Sequence, residues 1–207
     1  MGKRLSSGAT FVALGLACVA FAPTSRGAGD SASLTYPSPE AALKAIYGSH
    51  LINKWEVRGD LDGDGQSDWA GVVAYEEADA NRRRLIILTR TKDGVYTVAA
   101  QSKPETEANS AVEQLEINGK DLFVNFSYGG GEHPYIWVSQ VRLYRGQWRV
   151  IGTKTTSFDV DDTKSIVEDT NLLTGNKITS YMDGKRTLRV ERSKISDTTN
   201  LLEDTTP

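Results

Sequence analysis

The chain of 207 residues predicts a mainly β (α+β) fold in which antiparallel β-hairpins form a sandwich or a curled half-barrel, with one N-terminal helix. Short runs rich in β-branched and aromatic residues recur along the chain, and turn sequences containing glycine separate them. One segment near the N-terminus has apolar residues at helical spacing instead. With 39% hydrophobic and 25% charged residues, the composition is that of a globular protein, and we expect one domain.

Residues 1–28 are predicted to be an export signal. Lys3 and Arg4 precede an apolar run, residues 10–22, which is too short to span a bilayer comfortably. A membrane anchor or a buried helix is the alternative, and the cleavage site stays open. The only cysteine, Cys18, lies where a lipoprotein would be acylated, but the large aliphatic residue usual three positions upstream is missing. We therefore expect a periplasmic or extracellular protein, without a favoured lipid anchor and without a disulfide framework.

A short helix is expected to open the folded domain. Residues 29–37 form a linker rich in Gly and Ser, and Ser38 then has the character of an N-cap residue. Pro39 suits the first helical turn, so we predict a helix over residues 39–49. The single β-rich domain is expected to extend over residues 38–195, and the polar residues 196–207 are expected to form a flexible tail.

Glycine-containing turns predict four hairpins, centred on residues 92–94, 118–119, 145–146 and 182–185. The Asn-Gly pair at residues 118–119 predicts a type I′ turn. The polar residues 157–171 are expected to form an excursion between regions of sheet rather than strands.

One loop has a spacing that demands a specific chemical partner. Asp60, Asp62, Asp64 and Asp68 occupy positions 1, 3, 5 and 9 of a glycine-rich segment, and their like charges would repel one another without a cation. Ca²⁺ takes six to eight oxygen ligands, and the backbone carbonyl of Gln66 at position 7 would supply another. The sequence therefore predicts a calcium site. The alternative is a surface turn of Asp and Gly residues that binds nothing.

The ligand set differs from that of an EF-hand. An EF-hand requires an acidic residue at position 12, where this chain has Gly71, so Asp68 would have to complete the coordination shell. Gly65 at position 6 permits the sharp bend. The aromatic and β-branched residues on both sides of the loop indicate strands rather than helices.

A calcium loop between two strands resembles the DxDxDGxxD loop of integrin-type, FG-GAP or VCBS-like modules. The single copy favours a metal site and not a propeller. A set of ordered motifs also resembles a group of small exported bacterial proteins, uncharacterised or VCBS-like, on the segments 59–65, 84–88, 127–130 and 144–152. This resemblance implies an exported β-rich domain but no particular reaction.

A glycine-rich segment and its flanks form the second candidate site. Tyr128, Glu132, His133, Tyr135 and Trp137 place one acid, one histidine and three aromatic residues near one another, as in a ligand-binding lip. The alternative is a loop joining two strands, with Tyr135 and Trp137 packing on one face of a half-buried strand.

The chain lacks the sequence patterns of a nucleophile elbow and of a phosphate-binding loop. A net charge of −3 argues against a general nucleic-acid role. We therefore expect a Ca²⁺-stabilised, non-catalytic binding module for an unknown protein or glycan. We expect no transmembrane segment after signal removal, and the sequence does not indicate the oligomeric state. The alternatives are an extracytoplasmic hydrolase that uses Glu132 and His133, or a periplasmic inhibitor or immunity-type protein.

Overall fold

The protein is a β-sandwich of two antiparallel sheets, as the sequence predicts. The computed structural model describes residues 21–22, 34–77, 80–106, 110–128, 134–159 and 163–195. Of the predicted export signal it describes only Phe21 and Ala22, and the predicted C-terminal tail lies outside the described residues. No helix among the described residues is long and apolar enough to cross a membrane.

Sheet 1 has the strand order β1-β6-β5-β4-β3, with β2 paired to β6 and β7 paired to β5. Its strands are β1 (Phe21–Ala22), β2 (Thr35–Tyr36), β3 (Leu51–Gly59), β4 (Asp68–Glu77), β5 (Ala80–Arg90), β6 (Tyr96–Ser102) and β7 (Glu105–Thr106). Strand β2 falls at the end of residues 29–37, the segment that the sequence predicts to be a linker.

Sheet 2 is a meander in which each strand pairs with its sequence neighbours. Its strands are β8 (Ser110–Asn118), β9 (Asp121–Tyr128), β10 (Tyr135–Tyr144), β11 (Gln147–Phe158), β12 (Lys164–Asn171), β13 (Asn176–Asp183) and β14 (Arg186–Lys194). The four predicted hairpins are confirmed. The expected excursion over residues 157–171 is wrong, because β11 and β12 pair there in antiparallel register.

The main core lies between the two sheets. Val72, Leu85 and Ile87 of sheet 1 pack with Leu122 and Val141 of sheet 2. A second core covers the other face of sheet 1, where the α-helix of the described residues packs. Strand β4 therefore has both faces covered, and its first eight residues are all buried. Burial on both faces explains why that strand is almost continuously apolar.

The helix, α1 (Pro39–Tyr47), ends two residues before the predicted boundary. Its N-terminus forms as predicted, since Ser38 Oγ accepts a hydrogen bond from Ala41 N at 3.2 Å. Gly48 has φ of +57°, which ends the α-helix and leads into a single 3₁₀ turn, Gly48–His50.

The turn between β8 and β9 differs from the predicted type I′. Because Asn118 pairs with Asp121, the two central residues are Gly119 and Lys120. Gly119 has φ of +62°, whereas Lys120 is not among the non-glycine residues with positive φ in the described chain. A type I′ turn needs positive φ at both central residues, so this turn has glycine at the first position instead, as type II′ turns do.

Candidate metal centre

The acidic loop, residues 60–68, joins β3 to β4 and is fixed to both sheets. The Leu61 side chain is fully buried in the core between the sheets, in the same cluster as Leu122 of β9. At the start of the loop, a Cβ on Gly59 would lie 3.0 Å from Ile117 Cδ1 of β8. The loop is therefore part of the contact between sheet 1 and sheet 2.

Three of the four predicted carboxylates come together in this loop. Asp60, Asp62 and Asp68 each offer a carboxylate oxygen, and these three atoms lie within 4.8 Å of one another. Asp68 is fully buried, while Asp60 and Asp62 are partly exposed. Asp64 is not in this group. Its exposed carboxylate accepts a hydrogen bond from Gln66 N at 2.7 Å.

The Asp68 carboxylate holds the loop against the sheet. Its Oδ2 accepts hydrogen bonds from Leu61 N at 2.9 Å and from Asp62 N at 3.3 Å. Its Oδ1 accepts one from Arg90 N of β5 at 2.9 Å. Burial raises the pKa of Asp68, and the charge of Asp62 acts in the same direction, while the three N–H groups oppose the shift. Among the described residues, no basic side chain forms an ion pair with Asp68.

The partly exposed carboxylates of Asp60 and Asp62 stabilise the bend of the loop. Asp60 accepts hydrogen bonds from Gly63 N at 2.7 Å and Gly65 N at 3.1 Å, and Asp62 accepts one from Asp64 N at 3.0 Å. Gly63 and Gly65 have φ of +84° and +86°, a region that other residues rarely adopt. The glycines therefore allow the loop to turn its carboxylates toward one point.

A lysine from sheet 2 lies against this loop. A Cβ on Gly63 would be only 1.7 Å from Lys120 Nζ, so the ammonium group touches the loop backbone where glycine leaves room. Lys120 belongs to the turn between β8 and β9. Nothing near Asp60 in the sequence could have predicted this neighbour, because it depends on how the two sheets pack.

The donor set fits a hard divalent cation. Three carboxylates provide oxygen ligands only, and oxygen ligands are those that Ca²⁺ prefers. A carboxylate has about four lone-pair sites, and Asp68 uses three of them for backbone N–H groups, so one remains for an ion. Asp60, Asp62 and Asp68 are thus the side chains that would hold Ca²⁺.

The aromatic residues of the second candidate site are found mainly in packing contacts. Tyr128 and Tyr135 stack on each other across β9 and β10, with ring centroids 5.1 Å apart. Trp137 packs against Phe126 at 5.4 Å and against the core between the sheets. Glu132 and His133 lie outside the described residues, so the ligand-binding lip and the hydrolase alternative stay predictions.

A charged cluster around the buried carboxylate of Asp121, at the start of β9, could not be found from local motifs. Both oxygens of Asp121 accept hydrogen bonds from the Arg142 guanidinium, and Oδ2 also accepts one from Gln140 Nε2 at 2.9 Å. The hydrogen bonds from Arg142 lower the pKa of Asp121. The partners are about twenty residues apart in sequence and meet only because β9 pairs with β10.

A scan against protein-family models, a search of curated proteins and a search of solved structures each give no match for this chain. The resemblance of residues 60–68 to FG-GAP and VCBS-like calcium loops therefore remains a prediction from the sequence.

Proposed function

We propose that the chain is an exported, Ca²⁺-stabilised β-domain that acts as a non-catalytic binding module for a protein or glycan. One observation carries the calcium part: the carboxylates of Asp60, Asp62 and Asp68 converge within 4.8 Å in a loop anchored between the two sheets. The N-terminal sequence supports export, with two basic residues before a short apolar run.

The ion would hold the acidic loop in place at one end of the sandwich. The Asp68 carboxylate accepts a hydrogen bond from Arg90 N of β5. The Leu61 side chain packs in the core between the sheets, together with residues of sheet 2. A cation bound by Asp60, Asp62 and Asp68 would neutralise carboxylates that otherwise repel one another, and it would hold the loop in its folded path. A chain whose only cysteine lies in the predicted signal lacks disulfides for this purpose.

The binding part of the proposal follows from the architecture. No residue of strands β12 to β14 belongs to the core between the sheets, and most residues of β14 are exposed. A sandwich that leaves this much sheet surface uncovered offers area for a partner, and export would place that surface in contact with extracellular proteins or glycans.

The calcium part is tested by a titration followed by NMR. We expect Ca²⁺ to shift the backbone amide signals of Gly63 and Gly65 with a dissociation constant of about 10⁻⁴–10⁻³ M, the range of extracellular modules. The Asp62→Asn variant loses one charged ligand and should weaken binding about tenfold. The matched control, Asp93→Asn, removes an exposed aspartate from another glycine turn and should bind as the wild type does. Signals that do not move with Ca²⁺ would refute the metal site.

A further inference from the structure

A groove of about 260 Å³ crosses the outer face of sheet 2, the face that points away from sheet 1. Leu122 and Val124 of β9 point into the core between the sheets, so Phe123 between them points outward and lines the groove. The groove is distinct from the acidic loop, and no residue of the loop lines it.

The strand register explains why a groove forms here. One row across the sheet consists of Phe123, Gln140, Gly152 and Asn171, each opposite the next on the neighbouring strand. Gly152 has no side chain, so the row has a gap at its centre. A β-bulge next to Gln140 also bends the sheet at this point. The result is a concave surface on a face that is otherwise open.

Two amide side chains in this row are held in fixed orientations. Gln140 donates through Nε2 to Asp121, and its Oε1 lies over Gly152, where a Cβ would approach it to 3.0 Å. Asn171 accepts hydrogen bonds at Oδ1 from the backbone of the turn that follows β12. The groove therefore presents one oriented acceptor, Gln140 Oε1, and one oriented donor, the amide nitrogen of Asn171.

The next row supplies two opposite charges and an apolar surface. Lys154 and Asp169 are direct neighbours across β11 and β12, both are exposed, and no ion pair within 4.0 Å joins them in the described structure. Their charges cancel, so the lining has no net charge. Val138 in the same row and Phe123 in the first row add apolar contact area.

We infer that this groove binds a neutral saccharide. Sugar hydroxyl groups donate and accept hydrogen bonds, which the two oriented amides, Lys154 and Asp169 can complete, and the C–H face of a sugar ring can pack on Phe123. A strongly acidic ligand would meet the carboxylate of Asp169, and a strongly basic ligand would meet the ammonium of Lys154. This inference rests on the binding part of the proposed function and names its ligand class, but it does not depend on calcium.

The test is a glycan array carrying neutral, acidic and basic oligosaccharides, followed by calorimetric titration with the neutral oligosaccharide that gives the strongest signal. We expect a neutral oligosaccharide to bind, and the Lys154→Ala/Asp169→Ala variant to bind it about tenfold more weakly, since two hydrogen-bonding groups are lost. The control variant, Asp183→Ala/Lys185→Ala, removes the same two charges from the exposed end of β13 and the turn that follows it, and should bind as the wild type does.

Two results would overturn the inference: no neutral oligosaccharide binds, or the groove variant binds it as tightly as the control variant. Melting temperatures of both variants, which change exposed residues only, separate lost binding from lost folding. Repeating the titration with chelator separates this inference from the calcium proposal. Saccharide binding in chelator, together with amide signals of Gly63 and Gly65 that do not move with Ca²⁺, refutes only the metal site, and calcium binding without saccharide binding refutes only the groove.

Discussion

Asp68 and Asp121 are the two aspartates that the structure buries among the described residues, and their surroundings differ in one respect. Asp121 is paired with the guanidinium group of Arg142. Asp68 is bonded to three backbone N–H groups, and no basic side chain in the described structure pairs with it. The Asp121 carboxylate is thus paired with a positive charge of the protein, whereas the Asp68 carboxylate is stabilised only by the dipoles of backbone N–H groups.

This difference explains why the pKa values of the two carboxyl groups shift in opposite directions. Hydrogen bonds from Arg142 lower the pKa of Asp121, whereas burial raises the pKa of Asp68. Ionising Asp68 beside Asp60 and Asp62 therefore raises the electrostatic free energy of the folded state, and a bound cation would offset this increase. A bound Ca²⁺ would give Asp68 the positive counter-charge that Arg142 gives Asp121.

The largest expected effect comes from removing the buried carboxylate. Asp68→Ala leaves the N–H groups of Leu61, Asp62 and Arg90 without their acceptor, and we expect a loss of about 3 kcal/mol in the free energy of unfolding. Urea denaturation measures the loss. The control is Asp64→Ala, because Asp64 is exposed and bonds only to Gln66 N, and it should cost about 0.5 kcal/mol. Equal losses for the two variants would contradict the structural role of Asp68.

A smaller effect is expected from breaking the pair that Asp121 forms. Arg142→Gln should lower the free energy of unfolding at pH 7 by about 1–2 kcal/mol, toward the low end because the Arg142 side chain is 42% exposed. Urea denaturation of both proteins between pH 7 and pH 2 measures the difference. The exposed Arg192→Gln on the same face is the control and should change stability little.

The pH dependence of that difference has a defined sign. Because the pKa of Asp121 is lowered in the folded state, the pair stabilises the protein fully above the unfolded-state pKa of about 3.9. This stabilisation is lost as the pH falls through the lowered pKa. The wild type and Arg142→Gln should therefore converge in stability in acid, and a gap that stays constant down to pH 2 would contradict the assignment.

The smallest effect concerns the lysine beside the acidic loop. Lys120→Gln removes a positive charge that lies against Gly63 and would repel a bound cation. We expect its Ca²⁺ affinity to rise about two- to threefold at low salt, and the gain to shrink as salt screens the repulsion. Calcium titrations at two ionic strengths measure it. A fall in affinity would mean that Lys120 supports the site instead of competing with the ion.

Features encoded within a few residues could be predicted from the sequence. Ser38 and Pro39 mark the start of the helix, glycine turns mark the hairpins, and the spacing from Asp60 to Asp68 marks the acidic loop. Each of these depends on local backbone geometry, which neighbouring residues determine. The structure adds that Asp64 is apart from the group formed by the other three aspartates.

Features created by strand register or by packing between the two sheets could not be predicted. The contacts of Asp121 with Arg142 and of Lys120 with Gly63, and the groove over Gly152, all depend on register or on sheet packing. The sequence does not indicate strand β12, for another reason. None of its residues is fully buried or belongs to the core between the sheets, so neither face needs a regular apolar pattern, and its polar sequence does not resemble a half-buried strand.

The stability of the protein with and without calcium tests the central claim most directly. Urea denaturation at about 1 mM Ca²⁺ and with excess chelator should differ by roughly 1.4 kcal/mol for a dissociation constant of about 0.1 mM. The Asp60→Asn/Asp62→Asn variant should lose this difference, and Asp93→Asn should keep it. Denaturation curves of the wild type that coincide with and without Ca²⁺ would contradict the account.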